Sequence, residues 1–276
     1  MRRMDISMRL ERRSCLLYRV SIFWSRATEE FDSNRGEVTM KIRWLGQAGF
    51  LISLSNGKKL AIDPYLGNSC WDIVGFRRMV PAPIGPNELE VDYLFISHEH
   101  PDHLDIDLYD ALQDKPQTRI FGNEPCKALL SQSGRNPDKM EVLTIGQTLE
   151  LDGVSVDVMR ADHGQECPDA LGFLFHIDGI TIYFAGDTAY TPELLQEAYK
   201  ASPEIGLLPI NGAYGNLGSE EAARLAADIG CKKVIPCHFW MFVEHGSNPL
   251  EFSEKMKMIS PMSEVCFLSV GEEMEV

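Results

Sequence analysis

From Met40 onward, short apolar runs alternate with polar positions and are broken by turn residues. Residues 42–45, 49–52 and 60–63 read as three consecutive strands, with Asn56-Gly57 as the tight turn between the second and third. The proline-rich stretch 81–86 reads as a loop, and 91–97 as a buried strand. Helices are expected at 106–112 and 126–133, around a strand at 119–122. Strand pattern dominates 142–187, with a hairpin across Asp178-Gly179. Helices at 193–200 and 220–229, strands at 205–210 and 233–236, a helix near Phe252 and a strand at 265–270 complete the chain. Two strand-rich blocks thus each carry helices, with no linker between them. Packing two sheets face to face under outer helices would bury both blocks, giving an α/β four-layer αββα sandwich.

Residues 1–39 do not share this pattern. They are rich in arginine but lack the apolar core and small-residue cleavage site of a secretory signal. Asp5, Glu11, Glu29, Glu30 and Asp32 count against an organellar presequence. We expect the folded domain at 40–276, preceded at 1–39 by a poorly ordered or over-called N-terminal extension.

Composition narrows the partners. The 276 residues include 41 Asp and Glu against 26 Lys and Arg, a formal charge of -15. Such a surface repels phosphate backbones, so nucleic acid is not an expected partner. No run approaches the roughly 20 apolar residues of a membrane span. The seven cysteines are odd in number and form no Cys-x-x-Cys pair, which points to a reducing, cytoplasmic setting. Cys237 reads as a small buried strand residue beside His238. A small-molecule substrate is the expected partner, and a homo-oligomer stays open.

The chemistry concentrates in Ser97-His98-Glu99-His100-Pro101-Asp102-His103-Leu104-Asp105, directly after the buried strand at 91–97. Crowded imidazoles repel when protonated. Neutral imidazole nitrogen and carboxylate oxygen are natural ligands of a divalent cation, which removes the conflict. His98 and His100 alternate by two and can face one position. Asp102 and His103 follow where the chain turns into a helix and can face a second.

The pattern His98-x-His100-x-Asp102-His103 resembles the signature of the metallo-β-lactamase fold superfamily. Further motifs of that family are matched in chain order by Asp63 in Ala61-Ile62-Asp63-Pro64, His163 in Asp162-His163-Gly164, Asp187 in Gly186-Asp187-Thr188 and His238 in Pro236-Cys237-His238-Phe239. The resemblance implies two divalent metal ions, zinc or manganese, with iron open. It implies His98, His100 and His163 on one ion, Asp102, His103 and His238 on the other, and Asp187 bridging. Asp102 and Asp187 then carry the catalytic roles, in metal-assisted hydrolysis by a bridging water of lowered pKa. Asp63 is expected to orient ligand imidazoles, and Asp105 either to do the same or to cap the helix at Ile106. His176 matches no motif and reads as structural.

Trp44-Leu45-Gly46-Gln47-Ala48-Gly49-Phe50, Ile62-Asp63-Pro64-Tyr65-Leu66 and Pro209-Ile210-Asn211-Gly212-Ala213-Tyr214-Gly215-Asn216 resemble the ascorbate-6-phosphate lactonase-like branch. That implies an ester, lactone (a sugar-phosphate lactone among them) or phosphoester substrate. Arg77 and Arg78 are candidates to receive a phosphate or carboxylate. Asn211, Tyr214 and Asn216 are candidates to line the pocket, and Trp240, Phe242 and His245 to form an apolar wall beside His238. The alternatives are a phosphodiesterase or nuclease of the same fold, or a mononuclear iron oxidoreductase on the same scaffold.

Overall fold

A computed structural model describes residues 39–165, 167–193 and 196–276. The expected extension lies outside the described residues except for Thr39. The strands are β1 (Lys41–Gly46), β2 (Gly49–Ser53), β3 (Lys59–Ile62), β4 (Tyr93–Phe95), β5 (Arg119–Gly122), β6 (Met140–Val142), β7 (Thr148–Leu151), β8 (Val154–Arg160), β9 (Leu171–Ile177), β10 (Ile180–Phe184), β11 (Ile205–Pro209), β12 (Lys233–Cys237), β13 (Glu264–Val265) and β14 (Glu273–Glu275). The helices are α1 (Ser69–Val74), α2 (Ile106–Leu112), α3 (Glu124–Gln132), α4 (Gln196–Ala201), α5 (Ser219–Asp228) and α6 (Pro249–Ile259).

Two sheets form, in the orders β14-β1-β2-β3-β4-β5-β6 and β13-β12-β11-β10-β9-β8-β7. Side chains that alternate along a strand serve opposite faces. Ile42, Phe50, Ile62 and Phe95 of the first sheet share one core with Val156, Phe173, Phe175 and Phe184 of the second. Phe95 joins the two layers: it stacks on Phe121 at 4.8 Å and meets the Phe173 and Phe175 rings edge-on at 5.4 and 5.2 Å. The alternate residues Leu94 and Ile96 pack with Leu108 and Leu112 of α2 and Leu130 of α3. This is the expected α/β four-layer sandwich.

The connectivity places the site. β3 through β6 pair in parallel, and so do β10 through β13. Parallel strands end at the same edge, so the residues following β3, β4, β10, β11 and β12 gather there.

Two terminal details depart from expectation. The strand at 265–270 shortens to β13, and β14 forms beyond it. β14 pairs antiparallel with β1, Lys41 opposite Glu275. Its sequence Glu-Met-Glu carries little apolar signal. Backbone pairing holds it, with Lys41 Nζ 3.1 Å from Glu273 and 3.6 Å from Glu275. The short helix α1, which the sequence pattern did not announce, ends on Gly75 in the left-handed conformation.

Candidate metal centre

Each strand end delivers its residue. His98 follows β4, His163 follows β8, Asp187 follows β10 and His238 follows β12. His98 Nε2 and His163 Nε2 lie 3.0 and 3.2 Å from His100 Nδ1. On the other side, His103 Nε2 and His238 Nε2 are 3.3 Å apart. Asp102 Oδ2 is 3.2 Å from His238 Nε2 and 3.6 Å from His103 Nε2. Asp187 stands between the two groups. Its Oδ1 lies 3.3 Å from His103 Nε2 and 3.2 Å from His238 Nε2, and its Oδ2 lies 3.8 Å from His163 Nε2. All seven side chains assigned to the two ions by resemblance are thus brought together.

The residues fit divalent metal. Asp187 Oδ1 is buried and without a hydrogen bond, although two imidazole nitrogens face it. Two trios, His98–His103–Asp187 and Asp102–His238–His245, and one quartet, His98–His100–His163–Cys167, each have donor atoms within 4.8 Å of one another. Nitrogen and oxygen donors converging in this way make an environment that a divalent cation satisfies.

The two groups differ in charge. Burial drives the His98 imidazole well below its ordinary pKa, with His103 adding to the effect, and burial lowers His163. His103 and His238 move up. Burial opposes their charged forms, but Asp187 and Asp102 outweigh it, raising His103 well above its ordinary value and His238 to about 9. Burial likewise opposes charge on Asp102 and Asp187, yet His103 and His238 hold both well below the usual carboxylate range.

A supporting layer fixes the ligand orientations. His103 Nδ1 donates to Asp63 Oδ2 at 2.7 Å, and Ser97 donates to the same carboxylate from its N–H (2.7 Å) and its Oγ (2.5 Å). Asp63 therefore sits where the sequence placed it, behind an imidazole. Asp105 takes the capping alternative: it caps α2 through the Asp107 N–H and accepts from the Leu66 and Gly67 N–H groups at 2.8 and 2.6 Å. Asn216 Nδ2 donates to Asp187 Oδ2 at 2.7 Å, so it positions the central carboxylate rather than facing a substrate. Asn211 is buried and donates to the Ala213 carbonyl at 3.3 Å.

The arginine pair is displaced from its expected role. Arg78 donates to the carbonyls of Tyr65, Gly67 and Val80 and covers the Tyr65 ring at 4.6 Å. Neither Arg78 nor the exposed Arg77 borders the cavity. Three carbonyls satisfy Arg78 better than an open loop would. Of the expected wall, Phe242 is fully buried, and Trp240 is exposed and donates to the Ser247 carbonyl. His245 stacks on His238 with ring centres 4.8 Å apart, and burial, then His238, lowers its pKa to about 4. His176 pairs with Asp157 at 3.1 Å, away from the centre.

Sequence reasoning missed two site residues. Gln47, in the turn between β1 and β2, is fully buried. Its Nε2 donates to Asp102 Oδ2 at 2.8 Å and lies 2.8 Å from His245 Nδ1. Its carbonyl accepts the His238 N–H at 2.8 Å, which ties the first sheet to the second. Gln47, Asp63 and His238 all have positive φ (51°, 42° and 59°). Non-glycine residues rarely adopt this conformation, and it concentrates at functional sites. Cys167, four residues after His163, places its Sγ 3.4 Å from His100 Nε2. Its spacing from His163 was the available signal.

A cavity of about 610 Å³ opens onto the centre, bordered by His100, Asp102, His163, Asp187, His238 and His245 among others. Another of about 560 Å³ lies beside β8 and α4 and contains none of these residues.

Two facing mixed sheets with outer helices and a His/Asp centre at the strand ends define the metallo-β-lactamase class of fold. A β-lactamase superfamily domain model matches residues 41–238. A UPF0173 metal-dependent hydrolase of Pelotomaculum thermopropionicum is 32% identical, covering 86% of this chain and 100% of the relative. Among solved structures, Igni18, a metallo hydrolase from Ignicoccus hospitalis, superposes with a TM-score of 0.66 at 24% identity, over 86% of this chain and 97% of that one. An isothiocyanate hydrolase from Delia radicum gut bacteria gives 0.70 at 24% identity, over 86% and 99%. These two likenesses establish the fold alone. The chain belongs to the β-lactamase superfamily and, within it, to the UPF0173 family of metal-dependent hydrolases. No helix among the described residues is long and apolar enough to cross a membrane.

Proposed function

We propose that this protein hydrolyses a carboxylic ester or lactone at a centre of two divalent cations, zinc or manganese. The observation that carries the reading is the convergence of His98, His100 and His163 on one side of Asp187 and of Asp102, His103 and His238 on the other. When bound, such a pair supplies Lewis acidity toward the carbonyl and a water of lowered pKa. The chain's own residues do the rest. Asp187 spans both positions, and Asn216 fixes its Oδ2. Asp63 holds the proton of His103 on Nδ1, leaving Nε2 free to ligate. Gln47 orients Asp102 and keeps its Oδ2 toward the centre.

An ester or lactone is preferred to a phosphoester because no Lys or Arg among the described residues borders the cavity. The sugar-phosphate lactone of the resembled branch loses support for the same reason.

The test is metal analysis of the purified protein, followed by matched panels of esters, lactones and phosphoesters. About two equivalents of metal are expected, with ester or lactone turnover abolished by chelation and restored by Zn²⁺ or Mn²⁺. Undiminished turnover by thoroughly chelated protein, or by His100→Ala, would overturn the reading.

A further inference from the structure

We propose that the substrate is uncharged away from its reacting carbonyl and carries an aromatic or branched alkyl group, which lodges on a wall built by Val74, Phe76 and Tyr214. The inference rests on the ester or lactone hydrolysis proposed above and adds the recognition element.

The first argument is charge. Among the described residues, besides the candidate ligands and His245, the ionisable groups bordering the cavity are Asp162, Cys70 and the Tyr214 phenol, none of them a cation. Asp162 Oδ2 accepts from Thr191 Oγ1. A phosphate or carboxylate remote from the reacting centre would therefore face a carboxylate and no cationic side chain among the described residues. Burying such a group unpaired is strongly unfavourable.

The second argument is the wall itself. Cys70, Val74, Phe76, Ala189, Tyr214 and Pro101 supply apolar surface beside the ligands. The Phe76 ring lies 6.2 Å from Tyr214, 5.9 Å from Phe242 and 5.8 Å, edge-on, from His245. Val74 and Tyr214 remain 48% and 59% exposed, so apolar surface is left for a ligand to cover.

The third argument is rigidity. The Met79 N–H donates to the Met241 carbonyl at 2.8 Å, which ties the segment carrying Val74 and Phe76 to the loop after His238. Tyr214 is held at φ 55°, a conformation a tyrosine adopts only under constraint. A wall fixed before the ligand arrives loses little entropy on binding.

In the reaction, water adds to the carbonyl carbon and the acyl C–O bond breaks. A water proton passes to the leaving oxygen, so an ester yields acid and alcohol, and a lactone yields a hydroxy acid. No electrons are exchanged.

The test uses the metal-loaded full chain and three lactones: γ-phenyl-γ-butyrolactone, unsubstituted γ-butyrolactone, and a γ-(phosphooxymethyl) analogue. The phenyl lactone should exceed the unsubstituted one by about tenfold or more in kcat/KM, with the phosphorylated one last. Calorimetric titration with the neutral, unreactive 3-phenylpropanamide gives a readout independent of turnover. It should bind the metal-free and metal-loaded proteins alike. Phe76→Ala and the more exposed Tyr214→Ala should each weaken that binding about tenfold, and Val74→Lys should weaken it while raising the rank of the phosphorylated lactone. Turnover without preference for the phenyl lactone, preference for the phosphorylated one, or amide binding indifferent to these substitutions would overturn the wall. Amide binding at the wall without any lactone or ester turnover would instead overturn the hydrolytic reading and leave the wall standing.

Discussion

The His98–His100–His163 half of the centre and the Asp102–His103–His238 half flank one carboxylate but carry opposite electrostatics. In the first half, imidazoles face imidazoles. Burial drives the His98 and His163 pKa values down, so these rings are neutral with lone pairs ready for a cation. In the second half, His103 and His238 are held protonated by Asp187 and Asp102, so buried ion pairs stand where an ion would sit. The first half presents neutral imidazole donors, whereas the second neutralises itself and must give up protons to ligate.

The largest expected effect comes from removing one ion-pair partner. In metal-free protein, His238→Ala leaves Asp102 and Asp187 short of a buried counter-charge and should cost about 3–5 kcal/mol of stability. His163→Ala removes a neutral ring and should cost about 1 kcal/mol. Denaturant unfolding of the two chelated variants decides this, and equal losses would erase the distinction.

Asp63→Asn should weaken metal binding to the second half by about 10–100-fold, because the carboxylate behind His103 is lost. The first half should be unaffected. Chelator competition on the two proposed sites checks this, and a uniform loss at both would count against the assignment.

Proton release sharpens the contrast further. A raised pKa means His103 and His238 carry protons at pH 7 in the metal-free protein, so ligation there must expel them. Affinity of the second half should therefore climb with pH up to about 9, where His238 loses its proton unaided. His98 and His163, already neutral, should release no protons on ligation. Calorimetry in two buffers of different ionisation enthalpy measures the protons released with each equivalent.

The smallest effect belongs to an exposed ion pair far from the centre. Glu220 lies 2.7 Å from both Lys255 and Arg224, and hydrogen bonds from these two hold its pKa down at about 2. A depressed carboxylate contributes above its unfolded pKa, about 4.3, and loses that contribution as pH falls toward 2. Glu220→Gln should lower the melting temperature at pH 7 by about 1 °C or less and leave it unchanged near pH 2.

Much of this protein was legible without coordinates because its information is local. Alternation at Ile42, Phe50, Ile62 and Phe95 set the inward faces of the first sheet. The crowding of His98, His100 and His103 on a few adjacent residues required a cation or an unusual explanation. Asp63, His163, Asp187 and His238 each follow an apolar strand, and their order along the chain was recognisable. What the sequence could not assign were roles that depend on who lies opposite. Arg78 looked available for a substrate until three backbone carbonyls proved to hold it. Asn216 looked like a pocket residue and instead grips Asp187. Gln47 was an ordinary turn glutamine until the two sheets met, when its side chain reached Asp102 and its carbonyl the N–H of His238. Such contacts join residues up to about two hundred positions apart. Side-chain periodicity reports only which face a residue serves, so the strands and the candidate donors were written in the chain, while the partners of each polar group were decided by the closing of one sheet on the other.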